Sequence, residues 1–147
     1  MSSNICSVFA GDAIVSEAEL SEVMQSLKCK GIKAVASSCE RGFPMTALSA
    51  AYKAGLDMIV VIPYEGQAES WSEELRRRYL DIQLKASQRF MISEEYTAEC
   101  GLLADHMLMQ MCRIALVSGE NSRIQTAAER LERDIIVLRS DVNVRVI

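Results

Sequence analysis

The chain has 147 residues, of which half are hydrophobic and 24% are charged, and it carries a net charge of −4 with a pI near 5.1. This mixture is typical of a globular protein and excludes a disordered chain. The acidic balance argues against a nucleic-acid partner, which normally needs clustered Lys and Arg.

The length favours a single domain over residues 1–147, since one domain has about 150 residues. No run approaches the roughly 20 apolar residues that span a bilayer, and Met1–Asn4 lacks the basic start of a secretory signal. The five cysteines are odd in number and form no CxxC pair. We therefore expect a cytoplasmic protein with reduced, mostly buried thiols, away from membranes and without a metal or other cofactor.

Short β-rich runs alternate with amphipathic stretches from the first residues onward. Ile5–Phe9 is the first predicted strand, and Ser16 with Glu19 forms a capping box that begins a helix ending before Gly31. The further predicted strands are Lys33–Ala36, Asp57–Pro63, Arg89–Ile92, Cys112–Val117 and Asp134–Leu138. The further predicted helices are Gly42–Ala54, Ser70 to about Lys85 with a second capping box over Ser70–Glu73, a helix capped by Thr97 that runs to about Met111, and Ser122–Glu132.

Asp57–Pro63 is apolar on both faces, which is typical of a central strand covered by helices on each side. Valines alternate with polar residues over 142–146, which indicates an edge strand or a partner contact. Strands that alternate with helices predict right-handed βαβ units, and hence a three-layer Rossmann-like α/β fold with a mostly parallel central sheet. Ligands of such sheets bind beyond the carboxyl ends of the strands, which here are followed by the loops Ala10–Val15, Ser37–Pro44, Pro63–Trp71 and Ser118–Ser122.

Two of these loops carry residues that suit a ligand. Small residues in Ser37–Phe43 let backbone amides approach an anion at a helix start, although the same loop is also explained as a polar turn, and its Glu40 would repel phosphate. In Pro63–Trp71, a glycine turn leads to the only tryptophan of the chain. Trp71 suits a packing anchor better than a base-stacking platform, because aromatic residues mainly bury area.

The segments VIPYEGQAESWSEELRRRYLDIQLKAS and ISEEYTAECGLLADHMLMQMCRIALVSG resemble the SLOG superfamily, specifically its small YpsA/YoqJ-like branch, over roughly Ala34 to Leu138. The resemblance implies a Rossmann-like fold that binds nucleotides or nucleotide-derived ligands. The glycine loops diverge. Of a family turn similar to G-G-A-x-G-F-D only Gly42 and Phe43 are kept, and a later turn similar to G-S-x-G-G-T is replaced by Gly119–Arg123.

Fewer glycines restrict the approach of a backbone to phosphate, and acidic residues in these turns oppose an anion. Polyphosphates are therefore expected to bind poorly. The candidate ligand-binding residues are Ser37, Ser38, Cys39, Gly42, Phe43, Tyr64, Gly66, Trp71, Gly119, Asn121 and Ser122.

The sequence assigns no catalytic residue and no metal ligand. Cys39 at a helix start could serve as a nucleophile with His106, the only histidine, but a buried thiol is the common case. Three functions follow as hypotheses. The first is a non-catalytic sensor of a nucleotide-like small molecule, and the second is a structural or homo-oligomerising module with a vestigial cleft. The third is hydrolysis of an N-glycosidic bond, with Glu40 or Glu120 as the acid.

Overall fold

The computed structural model describes residues 3–139, which form one six-stranded parallel sheet with helices on both faces. The strands are β1 (Ile5–Ala10), β2 (Ala34–Ser37), β3 (Asp57–Tyr64), β4 (Gln88–Ser93), β5 (Ile114–Ser118) and β6 (Asp134–Leu138). The helices are α1 (Glu17–Cys29), α2 (Phe43–Lys53), α3 (Glu73–Lys85), α4 (Cys100–Met111) and α5 (Ser122–Arg130). The predicted three-layer Rossmann-like fold is confirmed.

The strand order is β4-β3-β2-β1-β5-β6, and every neighbouring pair is parallel. The chain moves outward from β1 to β4, and α4 then carries it back to the other side of β1. The order therefore reverses between β1 and β5, which is where Rossmann-like sheets commonly bind ligands. Helices α1 to α3 cover one face through a core that includes Leu20, Leu48 and Tyr79, whereas α4 and α5 cover the other through Leu108 and Ile124.

The predicted helix starts are confirmed at α1 and corrected at two others. The Ser16 hydroxyl accepts a hydrogen bond from the Glu19 amide at 3.1 Å and caps α1. At α3 the capping residue is Ser72, which accepts from the Leu75 amide, and the box predicted to begin at Ser70 is wrong. The reason is local: turns closed by backbone hydrogen bonds occupy the chain as far as Trp71, so the helix begins two residues later.

Helix α4 begins at Cys100, and its N-cap residue Glu99 makes no side-chain capping hydrogen bond. The predicted cap at Thr97 is therefore also wrong; its carbonyl oxygen accepts only a long, 3.4 Å bond from the Cys100 amide. The strand predicted over 142–146 lies outside the described residues. No helix within residues 3–139 is both long and apolar enough to cross a membrane.

Candidate functional site

The turns that follow β1 and β5 contact each other at the point where the strand order reverses. The Gly11 amide donates to the Ser118 hydroxyl at 3.0 Å, and the Glu120 amide donates to the Asp12 carboxylate at 2.7 Å. A Cβ atom on Gly11 would stand 2.5 Å from the Ser118 carbonyl oxygen, so the two turns are in direct contact. Gly119 adopts a φ of +87°, which favours glycine. The hydrogen bond that the Glu120 amide can donate is therefore already taken by the Asp12 carboxylate.

The Asn121 side chain adds two hydrogen bonds at these turns. Its side-chain oxygen accepts from the Ile124 amide at 3.2 Å and caps α5, while its side-chain amide donates to the Ala10 carbonyl at 2.9 Å. Ser122 is the exposed first residue of α5. The predicted group Gly119, Asn121 and Ser122 therefore lies at the β1–β5 turns, where hydrogen bonds within the chain hold the first two residues.

The loop between β2 and α2 is stabilised by hydrogen bonds to a buried side chain. The buried Ser37 hydroxyl donates to the Pro44 carbonyl at 2.8 Å and accepts from the Cys39 amide at 3.1 Å. Cys39 has a φ of 59°, and Gly42, the N-cap of α2, has a φ of 89°. Half-buried Phe43 packs against the core. Hydrogen bonds within the chain therefore hold this turn, and its first three residues, Ser37 to Cys39, are buried.

The Cys39 thiol is in a poor environment for nucleophilic chemistry. The residue is fully buried, and burial raises the pKa of its thiol to about 12, against the lowering influence of a Gln83 hydrogen bond and the Arg78 charge. A nucleophilic cysteine needs its thiolate form near neutral pH. The alternative of a Cys39 nucleophile is therefore not supported by the structure.

The loop between β3 and α3 is anchored by Trp71, which is 8% exposed. Its ring makes an edge-to-face contact with Tyr79 at 5.4 Å between centroids, and the Arg41 guanidinium lies 5.6 Å from the Trp71 ring centre. Gln67 links this loop to its neighbours, because its amide nitrogen donates to the Ser38 carbonyl and its oxygen accepts from the Tyr79 hydroxyl, both at 3.2 Å. Trp71 is a packing anchor.

Two cavities lie beside this loop and share Tyr64 and Tyr96 as a common wall. The outer cavity, of about 640 Å³, lies between the β3–α3 loop and the β4–α4 loop. The inner cavity, of about 360 Å³, extends from the β2–α2 loop to the starts of α4 and α5. The two tyrosine rings meet edge to face at 5.3 Å between centroids, and Tyr96 is 71% exposed. A planar ligand therefore has an accessible aromatic surface here.

The two cavities are rich in carboxylates. Within residues 3–139, the outer cavity is lined by Glu65, Glu69, Glu94 and Glu95 and by one cation, Arg76. The inner cavity holds Glu40, Asp105 and Arg123.

The carboxylates of the inner cavity influence one another. Asp105 pairs with Arg123 at 2.7 Å. Partial loss of water, and then the Asp105 charge, raise the pKa of Glu40. Burial likewise raises the pKa of Asp105, although the Arg123 hydrogen bond and charge oppose it. Proton donation by Glu40 is therefore favoured closer to neutral pH than for an ordinary glutamate.

The structure brings some of the predicted site residues together and separates others. Ser38 and Tyr64 line the inner cavity, and Tyr64 and Gly66 line the outer one. The other predicted residues do not line either cavity. Sequence reasoning missed two important residues. Tyr96 lies within the segment that carries the SLOG resemblance, and Asp12 lies in the loop Ala10–Val15 that follows the first predicted strand, so both residues belong to segments that the sequence points to.

No protein-family model matches the chain, and no curated protein matches it. Among solved structures, the chain is similar to DNA processing protein A (DprA) from Streptococcus pneumoniae, with a TM-score of 0.69 and 16% identity over 94% of this chain and 51% of that one. The chain thus spans about half the length of that protein. It is also similar to the Moco carrier protein from Chlamydomonas reinhardtii, with a TM-score of 0.56 and 12% identity over 93% and 76% of the two chains. At such identities the likeness shows the Rossmann-like fold alone.

Proposed function

We propose that the chain is a non-catalytic SLOG-type domain that binds a nucleotide-derived small molecule of low charge over the carboxyl ends of β2, β3 and β4. The observation that carries this proposal is the Tyr64–Tyr96 ring pair, which both cavities share. A base stacked on the exposed Tyr96 ring would gain roughly 1–3 kcal/mol. The resemblance to the YpsA/YoqJ-like branch and the name of the structurally similar Moco carrier protein both support small-molecule binding.

The charges around the site favour a ligand without a polyphosphate. The Asp12 carboxylate accepts the hydrogen bond of the Glu120 amide at the β1–β5 turns. In the described part of the chain, four carboxylates and one guanidinium line the outer cavity. Two like charges about 4 Å apart cost on the order of 1–4 kcal/mol in wet surroundings. A nucleoside, or a nucleoside derivative with at most one negative charge, avoids most of that cost. The same acidity supports a partner other than DNA, despite the name of DNA processing protein A.

The test is a thermal-shift series with a nucleobase, a nucleoside, its monophosphate and its triphosphate, because a ligand that binds the folded chain raises its apparent stability. Positive ligands are then titrated by calorimetry into the wild type, Tyr96→Ala and Tyr52→Ala. Tyr52 is an exposed tyrosine on α2 that lines neither cavity. We expect Tyr96→Ala to weaken binding roughly tenfold, the equivalent of 1.4 kcal/mol, and Tyr52→Ala to bind like the wild type. Equal binding by all three chains would refute the site.

The second candidate function is hydrolysis of an N-glycosidic bond, favoured by Glu40 in the inner cavity. Its raised pKa suits a general acid that protonates the leaving base while water adds to the anomeric carbon. Chromatography of nucleosides and nucleoside monophosphates after incubation with the chain separates the two functions. Release of free base that is lost in Glu40→Gln supports hydrolysis, whereas binding without release supports the non-catalytic domain.

A further inference from the structure

Strand β4 forms one edge of the sheet and leaves apolar side chains in contact with solvent. Phe90 is 38% exposed and Met91 is 48% exposed, and β4 has a strand neighbour only on its β3 side within residues 3–139. Monomeric proteins usually protect such edges with lysine, proline or a bulge. Strand β4 has one charged residue, Arg89, and no proline. This edge is open to pairing with a further strand.

Two leucines of α3 extend the apolar edge. Leu80 and Leu84 are 59% and 83% exposed, and their spacing of four places them on one face of the helix. A different face of α3 is turned toward α2, because the Lys85 ammonium lies 4.9 Å from the centre of the Tyr52 ring of that helix. Leu80 also lines the outer cavity, beside the end of β4. Leu80 therefore lies close to the carboxyl end of β4, and Leu84 lies one helical turn further along α3.

The pairing of β4 with β3 shows on which face of the sheet each β4 residue lies. Arg89 is paired with Val60 and Met91 with Ile62, and both β3 residues belong to the core beneath α1 to α3. Phe90 is paired with Val61, which packs beneath α4. Arg89 and Met91 therefore lie on the face of the sheet that is covered by α3, the helix that carries the two leucines.

We propose that two copies of the chain pair antiparallel through β4, with a two-fold axis at Met91, and join two six-stranded sheets into one. The two α3 helices then lie side by side, with Leu80 and Leu84 packed against the same residues of the partner. Such an interface is isologous, meaning that one patch meets itself. Because the patch is complementary to itself, we assign a second copy of this chain as the binding partner.

Charge complementarity supports this pairing. With Met91 opposite itself, Arg89 stands opposite the partner's Ser93 and is the diagonal neighbour of the partner's Glu95. Opposite charges across neighbouring strands stabilise their pairing. Glu94 and Glu95 also line the outer cavity. Each copy therefore contributes a cation to the rim of the other copy's cavity.

The first test is sedimentation of the full chain across a concentration series, with Met91→Lys and Ile14→Lys compared with the wild type. Met91→Lys places two like charges at the axis, and we expect the dimer dissociation constant to rise roughly tenfold or more. Ile14 is 82% exposed and far from β4 in sequence and fold, so Ile14→Lys is a matched control that should leave the dimer unchanged. Circular dichroism checks that both variants are folded.

The second test identifies the register by disulfide formation in a Cys29→Ser background, which removes the exposed native thiol. Antiparallel residues that face each other have Cα atoms about 4.5–5.5 Å apart, within disulfide reach. Met91→Cys should therefore form a dimer under oxidation. Phe90→Cys, at a similarly exposed position, should not, because diagonal neighbours are roughly 7–8 Å apart.

Three results would overturn the proposal. They are a wild-type chain that is monomeric at every concentration, a Met91→Lys variant that is folded and dimerises as tightly as the wild type, and equal cross-linking of Met91→Cys and Phe90→Cys. Because these measurements use no ligand, their failure leaves the Tyr96 binding test unaffected. A dimer weakened by both Arg89→Glu and Glu95→Arg, and restored when the two changes are combined, would support the register.

Discussion

A Cβ atom built on Gly119 would overlap a carboxylate oxygen of Asp12 and stand 2.6 Å from the Ala13 amide nitrogen. The turn after β5 therefore tolerates only glycine at this position, and its glycine serves to seat a carboxylate of the same chain. In phosphate-binding loops, a glycine at such a turn lets the backbone approach a phosphate. Here the Asp12 carboxylate takes the corresponding hydrogen bond, from the Glu120 amide.

This contact predicts that Gly119→Ala is strongly destabilising. The positive φ costs roughly 1–2 kcal/mol for a residue with a Cβ atom, and the overlap costs typically about 1–3 kcal/mol more. Urea denaturation should show a free energy of unfolding about 2–5 kcal/mol below that of the wild type.

Two other glycines serve as controls for the Gly119→Ala change. Gly31 has a φ of +88° but no atom within 4 Å of a built Cβ, so Gly31→Ala measures the backbone cost alone. Gly101 lies in α4 with open space around it, and Gly101→Ala should stabilise the chain by roughly 0.5–1 kcal/mol. If Gly119→Ala costs no more than Gly31→Ala, the two turns are looser than the structure shows.

Removing the Asp12 carboxylate should change which ligands bind. Asp12→Ala frees the Glu120 amide and removes a negative charge, so we expect the affinity for a nucleoside triphosphate to rise roughly tenfold relative to the nucleoside. Calorimetry in matched buffer without magnesium measures both affinities. The control is Asp57→Ala, which removes the same charge from the first residue of β3, at the opposite ends of the strands from Asp12.

The wild type should bind the nucleoside at least as well as the triphosphate. An unchanged ratio of the two affinities in Asp12→Ala would show that the β1–β5 turns are not an anion site, even when opened. Tight triphosphate binding by the wild type would mean that the carboxylates point away from the ligand.

Much of the fold could be predicted from the sequence, because strand and helix periods are local signals. Asp57–Pro63 and Asp134–Leu138 correspond to β3 and β6, and the Ser16 cap was found from a four-residue pattern. The start of α3 was missed because turns between Tyr64 and Trp71 compete with the helix for the same residues.

The candidate site was harder to predict, because its contacts join residues that are far apart in sequence. The hydrogen bond from the Glu120 amide to Asp12 spans 108 positions, and the Tyr64–Tyr96 contact joins the end of β3 to the β4–α4 loop. No local pattern reports such a pair. Residue type indicates which loops could bind a ligand, but the strand order of the sheet determines which loops meet.

Trp71→Ala should remove a large part of the stability of the chain. The ring is buried against Tyr79, and truncation of a buried tryptophan costs typically about 3–5 kcal/mol. Circular dichroism should follow the unfolding, because Trp71 is the only tryptophan and its fluorescence is lost in the variant. Tyr96→Ala, at an exposed aromatic residue, should change the free energy of unfolding by no more than about 0.5 kcal/mol. If Trp71→Ala alters neither the free energy of unfolding nor ligand binding, Trp71 is neither a packing anchor nor a ligand contact.

The rate at which each thiol is modified should show which cysteines are buried. A thiol reagent at mild alkaline pH should modify the exposed Cys29 quickly and the four buried cysteines only as the chain unfolds. After denaturation without reductant, all five thiols should react. A count of three or fewer would show that disulfides form.

The same burial predicts how stability depends on pH. Burial raises the pKa of the Cys39 thiol to about 12, whereas an unfolded thiol has a pKa of about 8.5. Between these values the unfolded chain loses a proton that the folded chain keeps, so stability is full below about pH 8.5 and falls by about 1.4 kcal/mol per pH unit for this thiol. Burial also raises the pKa of Cys6 and of Cys112, which adds to the slope.

Urea denaturation at several pH values from 8 upward should show this loss, with a shallower slope in Cys39→Ser, because serine does not titrate in this range. Cys29→Ser is the matched control, since it makes the same substitution at an exposed cysteine. A Cys39→Ser slope equal to that of the wild type would mean that the Cys39 thiol reaches solvent in the folded chain, and the case against Cys39 as a nucleophile would then fail.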